Sequence, residues 1–223
     1  MRRHSLLTSC LASVLAGCVG NVQLPPATVA AGSPGVGRVF GSIGVSSDAP
    51  TVDFSSIQFR PASADRTRRQ GEFLFYSPVG VMGAVLSLVY RTPVDFRDAT
   101  AHGTVFVATL PAGDYELVSI MVGNAPMGGW AAHFYEADAG AVPFRVEAGG
   151  LAYLGRFVSH LRMGRDAHRV PEVQGAFFTV SNRLADDLAV VKARGEAQAG
   201  DSVVDFAPRM MQADNAALRP AAP

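Results

Sequence analysis

Cysteine is nearly absent from this chain of 223 residues: there are two, Cys10 and Cys18, both at the extreme N-terminus. No thiolate metal site, cysteine nucleophile or disulfide framework is therefore available to the rest of the chain. Lysine is scarcer still, with Lys192 alone among 19 basic residues. Excess charge of either sign is missing, since 19 basic side chains face 19 acidic ones. Without a basic surplus to displace counterions, the composition argues against nucleic-acid binding. Charged residues are only 17% of the total and hydrophobic ones 48%, which excludes an intrinsically disordered chain. Nor is there an apolar run long enough to span a bilayer. The longest, Pro78 to Tyr90, has thirteen residues and reads as buried core. No cofactor and no metal site is expected. His-Glu-x-x-His, Gly-x-Ser-x-Gly and phosphate-loop motifs do not occur.

What is present begins with a leader. Arg2 and Arg3 precede an apolar, small-residue stretch that ends at Leu15-Ala16-Gly17-Cys18. A basic start, a short apolar region and small residues before a cleavage point have the form of a signal peptide over residues 1–17. The four residues Leu15, Ala16, Gly17 and Cys18 resemble the lipobox of bacterial lipoproteins. That resemblance implies cleavage before Cys18, a diacylglycerol on its sulfur and an acyl group on its new amino terminus. It also implies a lipid bilayer as partner through acylated Cys18. Val19 stands where lipoproteins retained in the inner membrane of Gram-negative bacteria commonly carry Asp. The expected location is therefore the outer membrane, facing the periplasm. Removal of 17 residues leaves 206, and loss of Arg2 and Arg3 with no acid gives a net charge of −2.

Residues 18–36 are uncharged and rich in Pro, Ala and Gly, and read as a lipidated tether. Gly and Pro, at 23 and 14 residues, are frequent enough to favour short strands and turns over a helical bundle. Strands are expected at Gly37 to Ser46, Phe54 to Arg60, Glu72 to Tyr76, Trp130 to Glu136 and Gly175 to Ser181. One or two more fall in Gly80 to Tyr90. Two stretches read as hairpins: Thr104 to Val122 around Pro111-Ala112-Gly113-Asp114, and Val142 to Ser159 around Ala148-Gly149-Gly150. A helix is expected over 182–195, with Asn182 as N-cap, Asp186 and Asp187 serving the dipole, a Leu184/Leu188/Val191 stripe and Gly195 as C-cap. The expected domain is residues 37–207, all-β, with about 7–9 strands and this one helix packed at its edge. Residues 208–223 read as a disordered tail.

Leu110-Pro111-Ala112-Gly113-Asp114-Tyr115 resembles the Leu-Pro-x-Gly-x-Tyr turn of carboxypeptidase-regulatory-like, or transthyretin-like, β-sandwich domains. Val146 to Gly155 resembles the strand, turn and strand that follow in lipoproteins carrying such domains. The resemblance covers Thr104 to Ser159 and implies a transthyretin-like or immunoglobulin-like sandwich. It implies no activity. The expected role is that of a non-catalytic envelope lipoprotein binding a protein or glycan partner. The alternatives are an accessory subunit or enzyme acting on envelope polymers, and a component of a secretion envelope complex.

Candidate binding residues are few. Arg66, Arg68 and Arg69 form a small basic loop suited to phosphate, anionic glycan or an acidic partner. Met127 and Trp130 sit in a Gly-rich stretch, where exposed Met and Trp would anchor recognition; Trp130 opening a strand would instead be core. Arg156, Arg162, Arg165 and Arg169 form a second basic group. His160 and His168 stand around Arg162, Arg165 and Asp166 without a carboxylate or second His at ligand-like spacing, and Ser159-His160 lacks an evident orienting acid.

Overall fold

The computed structural model describes residues 22–23, 35–48, 52, 54–62, 72–76, 94–124, 133–213 and 215–221. Twelve strands and two helices occur among them. In chain order they are β1 (Val22–Gln23), β2 (Val36–Ser46), β3 (Phe54–Pro61), β4 (Glu72–Tyr76), β5 (Phe96–Arg97), β6 (Ala101–Pro111), β7 (Gly113–Asn124), β8 (His133–Val146), β9 (Leu151–Arg165) and β10 (Pro171–Ser181). Then come α1 (Leu184–Ala193), β11 (Val203–Asp205), α2 (Ala207–Gln212) and β12 (Leu218–Pro220). The chain is thus β-rich as expected, with more strands than the turn signals indicated.

The strands form two sheets. One is antiparallel, in the order β1-β4-β3-β7-β8. The other is mixed, in the order β12-β10-β9-β2-β6-β5, with β11 pairing β9 beside the start of that strand. In the mixed sheet β2 runs parallel to β9, and β10 parallel to β12. The main core draws on both sheets. It takes Ile57, Phe59, Leu117, Ile120 and Phe144 from the first, and Val39, Ile43, Phe106, Phe157 and Phe178 from the second. Alternation explains the selection: every second residue of a strand points to the same face.

Neither expected hairpin is one. β6 pairs β2 in the mixed sheet, whereas β7 pairs β3 and β8 in the other. Pro111-Ala112-Gly113 therefore carries the chain from one sheet to the other. Tyr115 locks this corner: its hydroxyl donates to the Pro111 carbonyl at 2.9 Å, while its ring stacks on Phe144 at 5.6 Å. This is the geometry of a tyrosine corner. β8 and β9 likewise belong to different sheets. Turn residues signal a reversal of direction, but they do not name the strand that will be hydrogen-bonded. The consecutive strands that do pair antiparallel are β3 with β4, β5 with β6, β7 with β8 and β9 with β10.

The helix lies where the period placed it but packs elsewhere. It covers the outer face of the mixed sheet, not an edge. Val191, Leu184 and Leu188 meet Phe40, Val105, Leu151 and Tyr153 in a second cluster. The Asn182 side chain accepts the Leu184 N–H at 3.0 Å. At the other end Gly195 N–H reaches the Lys192 carbonyl and Glu196 N–H reaches that of Val191, a Schellman closure with Gly195 at φ +73°.

Residues 208–223 are not a loose tail as far as they are described. α2 has Pro208 in its first turn, where a missing N–H costs nothing. Met210, Ala217 and Leu218 enter the main core. Asn215 donates to the Ala139 carbonyl at 3.0 Å and accepts the N–H groups of Ala217 and Leu218. The segment thereby braces β8 where residues 139–141 bulge out of register with β7. Its composition resembles a linker, but these few apolar side chains are enough to dock it.

Candidate functional site

Nine residues singled out in the sequence lie outside the described residues: Leu15, Ala16, Gly17, Cys18, Arg66, Arg68, Arg69, Met127 and Trp130. The second basic group falls within them and is split. Arg156 turns to the helix, while Arg162, Arg165 and Arg169 lie on or beside the far end of the β9–β10 hairpin.

The histidines do not converge. His160 belongs to β9 rather than to a loop. Its ring stacks on Phe177 at 5.0 Å, and Nε2 meets the Thr179 hydroxyl at 3.0 Å. Burial holds its pKa below the ordinary value, although Asp48 pulls it the other way. His168 sits in the turn between β9 and β10. His102, on β6, is also depressed, by burial and by Arg97. Ser159 and His160, being adjacent on a strand, face opposite ways. Ser159 points into the core, where its hydroxyl meets that of Ser55 at 2.5 Å and donates to the Gly44 carbonyl. The two do not form a nucleophile–base pair. Among the described residues no group of three His, Cys, Asp or Glu side chains could hold a metal.

The most elaborate polar constellation was not anticipated. It lies between α1 and the mixed sheet, centred on Asp187, whose exposure is 0%. Ser42 from β2 donates to Asp187 Oδ2 at 2.7 Å, and Tyr153 from β9 to the same oxygen at 2.9 Å. Arg156 gives Asp187 Oδ1 a charged bond of 2.6 Å and extends its Nε to the Ser42 hydroxyl at 3.1 Å. The Tyr153 oxygen in turn accepts the Arg183 N–H at 3.0 Å, just before α1 begins. Burial, reinforced by the Asp187 charge, pushes the Tyr153 phenol far up, so it stays protonated and can donate. The Arg156 guanidinium also lies 4.1 Å from the centre of the Phe96 ring, a cation–π contact.

A bulge makes this possible. Phe40 pairs Tyr153 while Ser42 pairs Arg156, so β9 carries one residue more than β2 across this step. Gly155 absorbs it at φ +119°, a conformation only glycine takes readily. Tyr153 and Arg156, three apart, thus come to one face. Opposite Gly155, a Cβ on Gly41 would lie 2.6 Å from the Gly155 carbonyl oxygen, so both positions demand glycine.

Asp187 is therefore a buried anchor and not merely an acid serving the helix dipole. Its place between Leu184, Leu188 and Val191, on the helix's own apolar stripe, was the available signal. Ser42, Tyr153, Arg156 and Asp187 are all bonded within the cluster, which makes it a clamp holding α1 to the sheet. Two further clamps flank it. Arg194 bonds Asp95 at 2.6 Å and the Val105 carbonyl at 2.9 Å. Arg38 bonds Asp201 at 2.9 Å and the Glu196 carbonyl.

No family model matches the chain, and no curated protein matches it. Among solved structures, a leucine-rich repeat protein from Bacteroides thetaiotaomicron aligns over 54% of this chain at 12% identity and a TM-score of 0.27. The aligned part spans 13% of that protein's length. At that score the likeness carries no argument about fold or function. No helix among the described residues is long and apolar enough to cross a membrane.

Proposed function

We propose that this chain is a lipid-anchored protein of the bacterial cell envelope, whose non-catalytic β-domain is held off the outer membrane on a tether and binds a protein or glycan partner. The observation that carries the reading is Leu15-Ala16-Gly17-Cys18 at the end of a leader with Arg2 and Arg3 at its start. Two acyl signals on one residue give stable attachment, whereas a single chain gives only marginal binding. In this reading the domain is a transthyretin-like or immunoglobulin-like sandwich. The two sheets sharing one core and the Tyr115–Pro111 corner support that assignment. The clamps around Asp187, Asp95 and Asp201 favour a rigid presenting domain, since their polar groups are spent on holding α1 and the segment after it.

Metabolic labelling with a palmitate analogue tests the anchor. The wild-type chain incorporates label and sediments with outer-membrane fractions, and Cys18→Ser does neither. Equal labelling of the two chains, or a wild-type chain recovered unlabelled in the soluble periplasmic fraction, would refute the reading.

A further inference from the structure

The β9–β10 hairpin continues beyond the sheet that carries it. The pairing of β2 with β9 ends at Val45 with Ser159, and the pairing of β10 with β12 begins at Phe178. From Leu161 to Arg165, β9 pairs only with β10. At about 3.4 Å per residue these five residues carry the hairpin roughly 17 Å past its neighbour β2. Because β2 and β9 are parallel, the tip lies at the opposite end of the mixed sheet from Gly35, just before β2 begins. Along β9 that separation is roughly 45 Å at 3.3 Å per residue.

Four large hydrophobic side chains are exposed among the described residues, and the two most exposed are here: Val170 at 55% and Met163 at 45%. They are accompanied by Arg162, Arg165 and Arg169, none of which forms an ion pair among the described residues. The turn itself is rigidly built. The Asp166 carboxylate accepts the N–H groups of His168 and Val170 at 2.8 Å, and Arg165 donates to the Arg169 carbonyl at 2.8 Å. Asp166 is thus turned inward to the backbone, and the tip offers Arg165 and Arg169 beside Met163 and Val170, with Arg162 and the exposed Glu172 on the other face of the hairpin.

We propose that this hairpin tip docks an acidic protein surface. This deepens the binding reading given above and rests on it. Met and Arg around an apolar centre match the composition of protein interfaces, and Arg is prominent among their energetic anchors. A glycan would call for open aromatic faces to stack on. Of the rings beside the hairpin, Tyr135 turns its hydroxyl to the Val173 carbonyl at 3.5 Å, and Phe177 already has His160 stacked at 5.0 Å and the Arg219 guanidinium at 4.5 Å. Arg165 and Arg169, which form no ion pair among the described residues, complement carboxylates on the partner and steer its approach.

Site-directed photo-crosslinking of the full-length protein in its native host tests this. Benzoylphenylalanine replaces Met163 or Val170, and Val94 or Val204 as controls with 40% and 37% exposure elsewhere on the domain. The expected result is a discrete protein adduct from 163 and 170, about tenfold above that from 94 and 204, with an acidic crosslinked surface on the partner. Joint Arg165→Glu and Arg169→Glu should lower the yield about tenfold, and Arg165→Gln with Arg169→Gln by less, as expected for close charge pairs. Arg145→Glu, which alters an exposed Arg already paired with Asp114, should leave it unchanged. Equal yields at all four positions, adducts to lipid or glycan, or indifference to both double substitutions would overturn the proposal. Adducts found only from further probes at residues 63–70 or 125–132 would overturn it while leaving a binding role standing. No protein adduct from any position would remove both, and acylation of Cys18 would remain a separate result.

Discussion

Arg156 and Asp187 meet at 2.6 Å beneath α1, with the Asp187 side chain fully buried and the Arg156 side chain 11% exposed. Neither charge can turn to water if its partner is lost. Arg156→Met should therefore destabilise the domain by about 3–5 kcal/mol, the cost of breaking a buried pair from one side. Replacing both, with Asp187→Leu added, should recover much of that loss, because well-packed apolar pairs can match buried ion pairs. Urea unfolding of the single and double variants measures both effects.

Tyr115→Phe keeps the ring stacked on Phe144 and removes only the hydroxyl that reaches Pro111. The expected loss is about 1 kcal/mol, with the Pro111 carbonyl still able to find water at an exposed position. Denaturation midpoints for wild type and variant are the check. A loss several times larger would mean that the hydroxyl does more than close the corner.

Gly155→Ala places a side chain at φ +119° in the bulge that aligns Tyr153 with Arg156. Strain of this kind costs about 1–3 kcal/mol. The variant should also loosen α1, seen as faster hydrogen exchange at helix amides such as those of Val190 and Val191 than at core amides of β3.

Acid should weaken the fold in two stages. His160 and His102 are held below 6.5 in the folded protein by burial, so the unfolded chain takes up protons first. Stability then falls as pH drops through 6.5 toward the lower folded values. For Asp95 burial pushes upward, but hydrogen bonds from Thr104, the Val105 N–H and Arg194 outweigh it and lower the pKa below 3.8. Its contribution is complete above 3.8 and is lost as pH falls through the lower folded value. Melting temperatures of wild type and His160→Gln between pH 8 and pH 5 should converge toward the acid end. Asp95→Asn should matter at neutral pH and little near pH 2.

Met210→Ala tests the docking of the C-terminal segment. Met210 is fully buried in the main core, so truncation should cost about 2–5 kcal/mol. Thermal or urea unfolding decides it. An effect within about 0.5 kcal/mol, as expected of an exposed site, would restore the reading of a loose tail.

Local pattern was legible where it depended on neighbours in the chain. The strands at 36–46, 54–61 and 72–76 and the C-terminal end of α1 follow from alternation, turn residues and capping chemistry, whereas the N-cap falls on Arg183, one residue past the expected Asn182. Partnership was not legible. Nothing in Pro111-Ala112-Gly113 distinguishes a hairpin turn from a passage between sheets, because the same φ preferences serve both. The Asp187 cluster was hidden for a related reason. Ser42, Tyr153, Arg156 and Asp187 come from three distant segments and are aligned by a single extra residue at Gly155. Asp187 among the apolar positions of its helix was the one local hint that an acid there would need a buried partner.

The mixed sheet also fixes an order of events. β2 occupies a central place, yet Ser42 is bonded to a residue 145 positions away and Arg38 to one 163 away. Such contacts close only after nearly the whole domain has been made, and folds dominated by them form in milliseconds to seconds rather than microseconds. A chain emerging N-terminus first can pair β2 with β6, but its other edge and the face bearing Phe40 stay uncovered until β9 and α1 arrive. The centre of the mixed sheet therefore closes late, after the antiparallel pairs β3–β4 and β7–β8 have been made.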